Sequence, residues 1–96
     1  MEGLVQMKSR CTDEFWHCLW SLPEQVQKQA NVAYRRFKQD PYYPSLQFKC
    51  INPKRQVYSA RVGRNYRALG RMVNGDIVWF WIGTHEDYNH FYPRGL

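Results

Sequence analysis

The chain has 96 residues, 44% hydrophobic and 17% aromatic, which is enough for one domain (1–96) with an apolar core but too short for two. Its formal charge of +6 and its pI of about 9.5 favour a polyanionic ligand or an acidic protein partner. The sequence shows neither a signal peptide nor a run of about 18 apolar residues, so a cytoplasmic protein without a membrane span is expected.

The cysteines and histidines do not form a pattern that binds metal. Cys11, Cys18 and Cys50 include no CxxC pair, and the three histidines have no partner at ligand spacing. An odd number of cysteines without a secretion signal predicts reduced thiols, and Cys18 is expected to be a small core residue. The sequence therefore predicts no metal and no cofactor.

The first part of the chain predicts a short strand at residues 4–8 followed by a helix. Thr12 or Asp13 can cap this helix, which should end near Leu22-Pro23. Its apolar side chains recur at helical spacing. They are Phe15, Trp16, Leu19 and Trp20.

A second helix is predicted to start after a capping box formed by Ser21 and Glu24 and to reach about Gln39. Asp40-Pro41 should end it, because the residue before a proline is disfavoured in helical conformation. Its apolar stripe consists of Val26, Ala30, Ala33, Tyr34 and Phe37. The two helices should pair as a hairpin on one face of a sheet.

The second half of the chain predicts an antiparallel meander with strands at 57–62, 66–73 and 77–82. Asn74-Gly75 favours a type I′ turn, since both central residues of that turn need positive φ. The last strand, IVWFWI, is apolar on both faces, which is typical of a covered central strand. Residues 46–50 alternate and predict a further short strand or extended segment. The expected fold class is α+β.

Positive charge is concentrated on this meander. Residues 41–75 contain no Asp or Glu but hold seven of the fourteen basic residues. These are Lys49, Lys54, Arg55, Arg61, Arg64, Arg67 and Arg71. Strand alternation places Arg67 and Arg71 on one face, close to aromatic residues and to the run GTHEDY at 83–88. We expect this face to hold an anion; an ordinary solvated strand face is the structural alternative.

Several motifs, in this order, resemble the RelE/ParE superfamily of type II toxin–antitoxin toxins. They are PSLQFK (44–49), YSARV (58–62), NYRALG (65–70) and WFWIGTHEDY (79–88), preceded by a segment (22–41) similar to the family's helical hairpin. The resemblance implies an N-terminal strand, a helical hairpin and a meander completing a four-stranded sheet. It also implies a toxin neutralised by a cognate acidic antitoxin. Most characterised relatives cleave mRNA on the ribosome as endoribonucleases, whereas the ParE-like branch inhibits DNA gyrase.

Metal-independent RNA cleavage by 2′-hydroxyl attack needs an acid, a base and fixed cations around the phosphate. Arg67 is the candidate for the phosphate, because a guanidinium offers a planar fork of donors. It also matches the arginine of the family's YR motif. Arg61 lies on the neighbouring strand, where relatives carry Lys or Arg, and Lys49 could add a third charge. An exposed strand arginine in a surface ion pair is the alternative for Arg67.

His85 follows the central strand and is the candidate acid or base, because imidazole exchanges protons near neutral pH. A structural histidine is the alternative. Tyr88 could stack on a base or bond a phosphate, or it could cap the core. Glu86 and Asp87 could orient His85, or they could pair with Arg61 or Arg67 and occupy the pocket. The combination resembles family members that use a histidine rather than a set of Lys and Arg.

The remaining predicted substrate-binding residues are Lys49, Arg64, Arg71, Lys54 and Arg55. Two other functions stay open at this point. A gyrase inhibitor would need no acid–base pair, and a non-catalytic module would bind nucleic-acid phosphates alone. The antitoxin is expected to cover an aromatic surface around Tyr42, Tyr43 and the first helix.

Overall fold

The computed structural model describes residues 7–91, which form a mixed five-stranded sheet with helices on both sides. In chain order the elements are β1 (Ser9–Cys11), α1 (Asp13–Trp20), α2 (Glu24–Gln39), a 3₁₀ turn (Pro44–Leu46), β2 (Lys49–Asn52), β3 (Val57–Val62), β4 (Tyr66–Val73), β5 (Asp76–Thr84) and α3 (His85–Phe91). The sheet order is β1-β5-β4-β3-β2; β1 pairs in parallel with β5, and the other pairs are antiparallel. The α+β prediction is confirmed.

The meander was predicted closely because its signals are local, although β5 (Asp76–Thr84) is longer than the predicted 77–82. β3 and β4 begin and end at the predicted residues, and Asn74 (φ 53°) and Gly75 (φ 85°) have the positive φ of a type I′ turn. The sheet has five strands instead of four because the segment before the meander, Lys49–Asn52, pairs with β3. The first strand lies at Ser9–Cys11, and most of the predicted 4–8 segment falls outside the described residues.

The helix boundaries show one error in the sequence interpretation. Thr12 caps α1 as expected, its Oγ1 accepting a hydrogen bond from the Phe15 N–H at 3.1 Å. Ser21 does not form the predicted capping box. Its hydroxyl donates to the Cys18 carbonyl at 2.7 Å, so Ser21 ends α1, and α2 begins after Pro23 without a side-chain cap. Asp40 leaves the helical conformation and ends α2 as predicted.

The main core lies between the helical hairpin and the sheet. Its buried residues are Phe15, Leu19, Ala30, Phe37, Leu46, Phe48, Ala60, Val62, Ala68, Ile77, Trp79 and Ile82. Trp79 is at its centre, with the Phe37 ring edge-on at 5.3 Å between centroids. Gly70 pairs with Trp79 across the sheet, and a Cβ at position 70 would stand 2.8 Å from the indole. The absence of a side chain there makes room for the ring.

An irregularity in β5 gives the other side of the sheet its own apolar cluster. Leu69 and Gly70 are consecutive, but their partners are Trp81 and Trp79, so Phe80 is an extra residue. Phe80 and Trp81 therefore both face away from the helical hairpin, where they pack with Leu69 and with Tyr88 of α3. We call this side of the sheet the open face.

Helix α3 was not predicted from the sequence. Its start carries ordinary helix signals: the Thr84 hydroxyl accepts a hydrogen bond from the Asp87 N–H at 3.0 Å, and Glu86 and Asp87 occupy the first turn. Within residues 7–91, none of the helices combines the length and the apolar character that a membrane span needs.

Gly83 is expected to be intolerant of substitution because the Trp81 ring occupies the space above it. A Cβ at position 83 would stand 2.4 Å from Trp81 Cζ2. Gly83→Ala should lower the free energy of unfolding by about 1–3 kcal/mol in urea denaturation, since overpacking forces the ring to move. Introduced into a Trp81→Ala background, the same substitution should cost much less. Equal losses in both backgrounds would contradict the proposed clash.

Candidate active site

Two arginines lie side by side on the open face. Arg61 of β3 is directly opposite Arg67 of β4, and Arg67 is opposite Gly83 of β5. Directly paired residues share a face, so both side chains leave the sheet on the side away from the hairpin. Like charges opposite each other destabilise a sheet. A bound anion would offset that repulsion.

Arg67 is buried, in contrast to the exposed strand arginine considered from the sequence. Only 4% of its surface is exposed, and its Nε has no hydrogen-bond partner. Its Cζ lies 5.3 Å from the centroid of the Tyr88 ring, and the Trp81 ring fills the space over Gly83 beside it. A buried charged donor without a partner is costly in a folded protein. Arg67 is therefore the strongest candidate for binding an anionic group.

Arg67 opens onto a cleft of about 310 Å³, which we call the Arg67 cleft. The lining residues are Gln47, Arg61, Arg64, Asn65, Tyr66, Arg67 and His85. None of these is acidic, so the charged side chains that line the cleft are all cationic. The Arg61 Nε donates to the Gly63 carbonyl at 3.0 Å, which fixes this second guanidinium at the rim.

His85 lies at the rim of the same cleft, at the start of α3. Its backbone N–H donates to the Asn65 carbonyl at 2.7 Å, which ties the helix to the β3–β4 turn. The exposed imidazole lies 5.6 Å from the Tyr88 ring, measured between centroids. Because Tyr88 also contacts Arg67, one aromatic ring supports both candidate groups. Tyr88 itself is only 6% exposed, so its position favours a supporting role over stacking on a base.

Glu86 and Asp87 are exposed and do not line the Arg67 cleft. Both belong to the first turn of α3, where negative charge interacts favourably with the helix dipole. The helix dipole accounts for this acidic pair in an otherwise basic segment.

The other predicted binding residues are divided among several places. Arg64 lines the Arg67 cleft. Arg55 and Arg71 line a separate cleft of about 390 Å³ with Phe80, where the Arg71 Nε donates to the Arg55 carbonyl at 3.4 Å. Lys49 pairs with Ser59 and so belongs to the open face, and Lys54 is exposed in the β2–β3 turn. The structure thus brings together Arg61, Arg64, Arg67 and His85.

Sequence reasoning missed the polar residues that complete the Arg67 cleft. Gln47 follows the 3₁₀ turn with φ of 44°, a left-handed conformation that only tertiary packing specifies for this residue type. Asn65 and Tyr66 come from the β3–β4 turn and the start of β4. Asn65 could have been suspected, because it lies in the NYRALG motif next to the turn.

The cysteines do not contribute to this site. Burial raises the pKa of the Cys11 thiol to about 11, so this thiol stays protonated at neutral pH and is a poor nucleophile. Within residues 7–91, no group of three or more His, Cys, Asp or Glu side chains is placed to hold a metal ion.

Comparison with known proteins identifies the family. The ParE-like toxin domain matches the chain over residues 24–90, a range that includes every residue lining the Arg67 cleft. The chain belongs to the ParE-like toxin domain family. No curated protein matches the toxin domain at a significant level.

Solved structures share the fold of this toxin domain. A chain of the RelBE2 toxin–antitoxin complex from Mycobacterium tuberculosis is 21% identical, with a TM-score of 0.64 over 84% of this chain and 100% of that chain. A chain of the RelB–RelE complex from Methanococcus jannaschii is 19% identical, with a TM-score of 0.66 over 84% and 96%. YafQ from Escherichia coli is 8% identical, with a TM-score of 0.67 over 86% and 98%. The toxin domain therefore has the RelE/ParE fold of type II toxin–antitoxin systems.

Proposed function

We propose that this toxin is a metal-independent endoribonuclease that cleaves mRNA on the ribosome in the cytoplasm. The observation that carries the proposal is the buried Arg67, whose Nε has no hydrogen-bond partner, in a cleft without acidic lining residues and with His85 at its rim. A phosphodiester supplies the negative charge that this guanidinium lacks. Binding a phosphate needs no proton transfer, whereas cleavage does, and the imidazole at the rim can supply it.

In the proposed reaction, the 2′-hydroxyl of the substrate attacks the adjacent phosphorus and the bond to the 5′ oxygen breaks. Arg67 and Arg61 stabilise the additional negative charge of the pentavalent phosphate. His85 either accepts the 2′ proton or delivers a proton to the leaving 5′ oxygen, and water exchanges the other proton. Tyr88 holds Arg67 and His85 in position through its ring. The products carry a 2′,3′-cyclic phosphate and a 5′-hydroxyl.

An acidic antitoxin is the proposed protein partner. RelE toxins of the same fold occur in complexes with RelB antitoxins. The toxin exposes aromatic residues of the kind expected for such a contact: Trp20 is 63% and Tyr42 69% exposed. Trp16 stacks on Trp20 at 5.9 Å between centroids, which forms a continuous aromatic surface on α1. Large exposed apolar patches mark interaction sites.

Inhibition of DNA gyrase is the second candidate, because the matching family is the ParE-like one. Such an inhibitor would require neither a proton-transfer group nor an RNA 2′-hydroxyl. The presence of His85 beside Arg67 in one cleft favours the nuclease. A non-catalytic module that binds only nucleic-acid phosphates would likewise make His85 dispensable.

Induced expression in cells, followed by mapping of RNA 5′ ends, separates these functions. Wild-type toxin should stop growth and create new ends within messages, whereas Arg67→Ala and His85→Ala should do neither. Growth arrest with intact messages and broken DNA would support gyrase inhibition instead. If the His85→Ala variant still stops growth and no new RNA ends appear, the toxin is a module that only binds nucleic acid.

A further inference from the structure

A second cleft adjoins the Arg67 cleft and was not anticipated from the sequence. It measures about 430 Å³ and lies between α2, the 3₁₀ turn and the β3–β4 turn; we call it the helix cleft. Its lining residues are Gln25, Lys28, Gln29, Val32, Ala33, Arg36, Ser45, Leu46, Arg61, Gly63 and Arg64. Four of these are cations and none is acidic.

Arg36 is held in an oriented position in the helix cleft. Its Nη1 donates to the Ser45 hydroxyl at 3.3 Å, and its Cζ lies 5.0 Å from the centroid of the Tyr43 ring. These contacts leave no carboxylate among its described partners. A guanidinium held in place by an aromatic ring and a hydroxyl is preorganised, so it can bind a phosphate with little loss of side-chain entropy. Lys28 supplies a second cation two helical turns earlier.

The two clefts meet at Arg61 and Arg64, which line both. Gln29 of α2 packs against Gly63 at this junction; a Cβ there would stand 2.6 Å from the Gln29 Oε1. The Arg61 Nε is bonded to the carbonyl of the same Gly63. The junction is therefore a fixed cationic ridge between α2 and the sheet.

We propose that the helix cleft and the Arg67 cleft form one path for single-stranded RNA, in which Lys28 and Arg36 bind phosphates beyond the scissile one. Positively charged grooves follow the backbone of single strands without reading sequence. An extended strand suits this path because its phosphates recur at regular intervals and can meet the cations of both clefts in turn. These cations are Lys28, Arg36, Arg61, Arg64 and Arg67. The inference rests on the proposed function, since it assigns the scissile phosphate to Arg67.

The test is equilibrium binding of the full-length toxin to fluorescent 2′-O-methyl RNA, which cannot undergo 2′-hydroxyl attack. Oligonucleotides of three and nine nucleotides are titrated over a range of NaCl concentrations. The double substitution Lys28→Gln with Arg36→Gln should weaken binding of the nine-mer by about tenfold at low salt and reduce its salt slope by about 1.4, since each single-strand phosphate contact contributes about 0.7. Binding of the three-mer should change less than about twofold.

A matched control removes the same charge from outside both clefts. Lys8→Gln with Lys38→Gln alters two exposed cations, one of them on α2 itself, and should leave the nine-mer affinity within about twofold. Equal losses in the two double variants would overturn the proposal, and so would wild-type affinity that does not increase from three to nine nucleotides. Loss of binding to an acidic antitoxin with RNA binding unchanged would assign the helix cleft to the protein partner and also overturn it.

Because the RNA used here cannot be cleaved, the result is independent of catalysis. If binding increases with RNA length and depends on Lys28 and Arg36 but the toxin creates no new RNA ends in cells, the nuclease proposal is rejected and the strand path is retained. If the wild-type toxin creates new RNA ends in cells but the two double variants bind the nine-mer equally well, the nuclease proposal is retained and the strand path is rejected.

Discussion

Arg67→Met is expected to slow RNA cleavage strongly and at the same time to stabilise the fold. Removing one preorganised donor to a developing negative charge lowers rate constants by about 10²–10³-fold. Methionine is similar in length and keeps the packing against Tyr88. Because the guanidinium is buried with an unpartnered Nε, its removal should raise the free energy of unfolding by about 1 kcal/mol in urea denaturation. The substitution also removes the cation–π contact between the Arg67 guanidinium and the Tyr88 ring, which lowers stability and partly offsets this gain.

The matched control is Arg10→Met, an exposed strand arginine at the far edge of the sheet. It should change stability by less than about 0.5 kcal/mol and leave cleavage intact. Arg67→Lys should recover only part of the activity, since an ammonium lacks the planar fork. If Arg67→Met destabilises the toxin as strongly as a large-to-small core substitution does, Arg67 is a structural residue and the assignment of the phosphate site is wrong.

His85→Ala is expected to lower the cleavage rate by about 10²–10⁴-fold while RNA binding stays within about twofold of wild type. The imidazole is exposed, and the backbone bond from residue 85 to the Asn65 carbonyl does not depend on the side chain. The fold and the cationic lining of the Arg67 cleft should therefore persist. Single-turnover cleavage and equilibrium binding on the same RNA separate the two effects.

His90→Ala serves as the comparison for His85, because His90 is an exposed histidine of the same helix that does not line the cleft. It should cleave like the wild type. If His85→Ala also retains full activity, proton transfer does not involve His85 and the catalytic part of the proposal fails.

The sequence specified the elements whose signals are local. Asn74-Gly75 set the register of β4 and β5 at their shared turn, and alternation in β4 placed Arg67 and Leu69 on the same face. The hairpin of α1 and α2 also followed from apolar spacing. Ser21 was misassigned because two helices compete for its hydroxyl, and the end of α1 takes it.

The burial of Arg67 could not be predicted from the sequence, since it depends on contacts between elements that are distant in the chain. Arg67 is buried because an extra residue in β5 turns Trp81 onto the open face and because α3 brings Tyr88 over the guanidinium. The helix cleft required the approach of α2 to the β3–β4 turn, so Lys28 and Arg36 resembled ordinary surface cations in the sequence.

The most direct test of the proposed chemistry uses a ribosome-bound message and the same message with a single 2′-deoxynucleotide at the cleaved position. We predict that purified toxin cuts the first message to give fragments with a 5′-hydroxyl and leaves the second intact at that position. Arg67→Met should cut neither. Cleavage of the deoxy-substituted message at an equal rate, or the absence of cleavage with simultaneous gyrase inhibition, would contradict cleavage by 2′-hydroxyl attack in the Arg67 cleft.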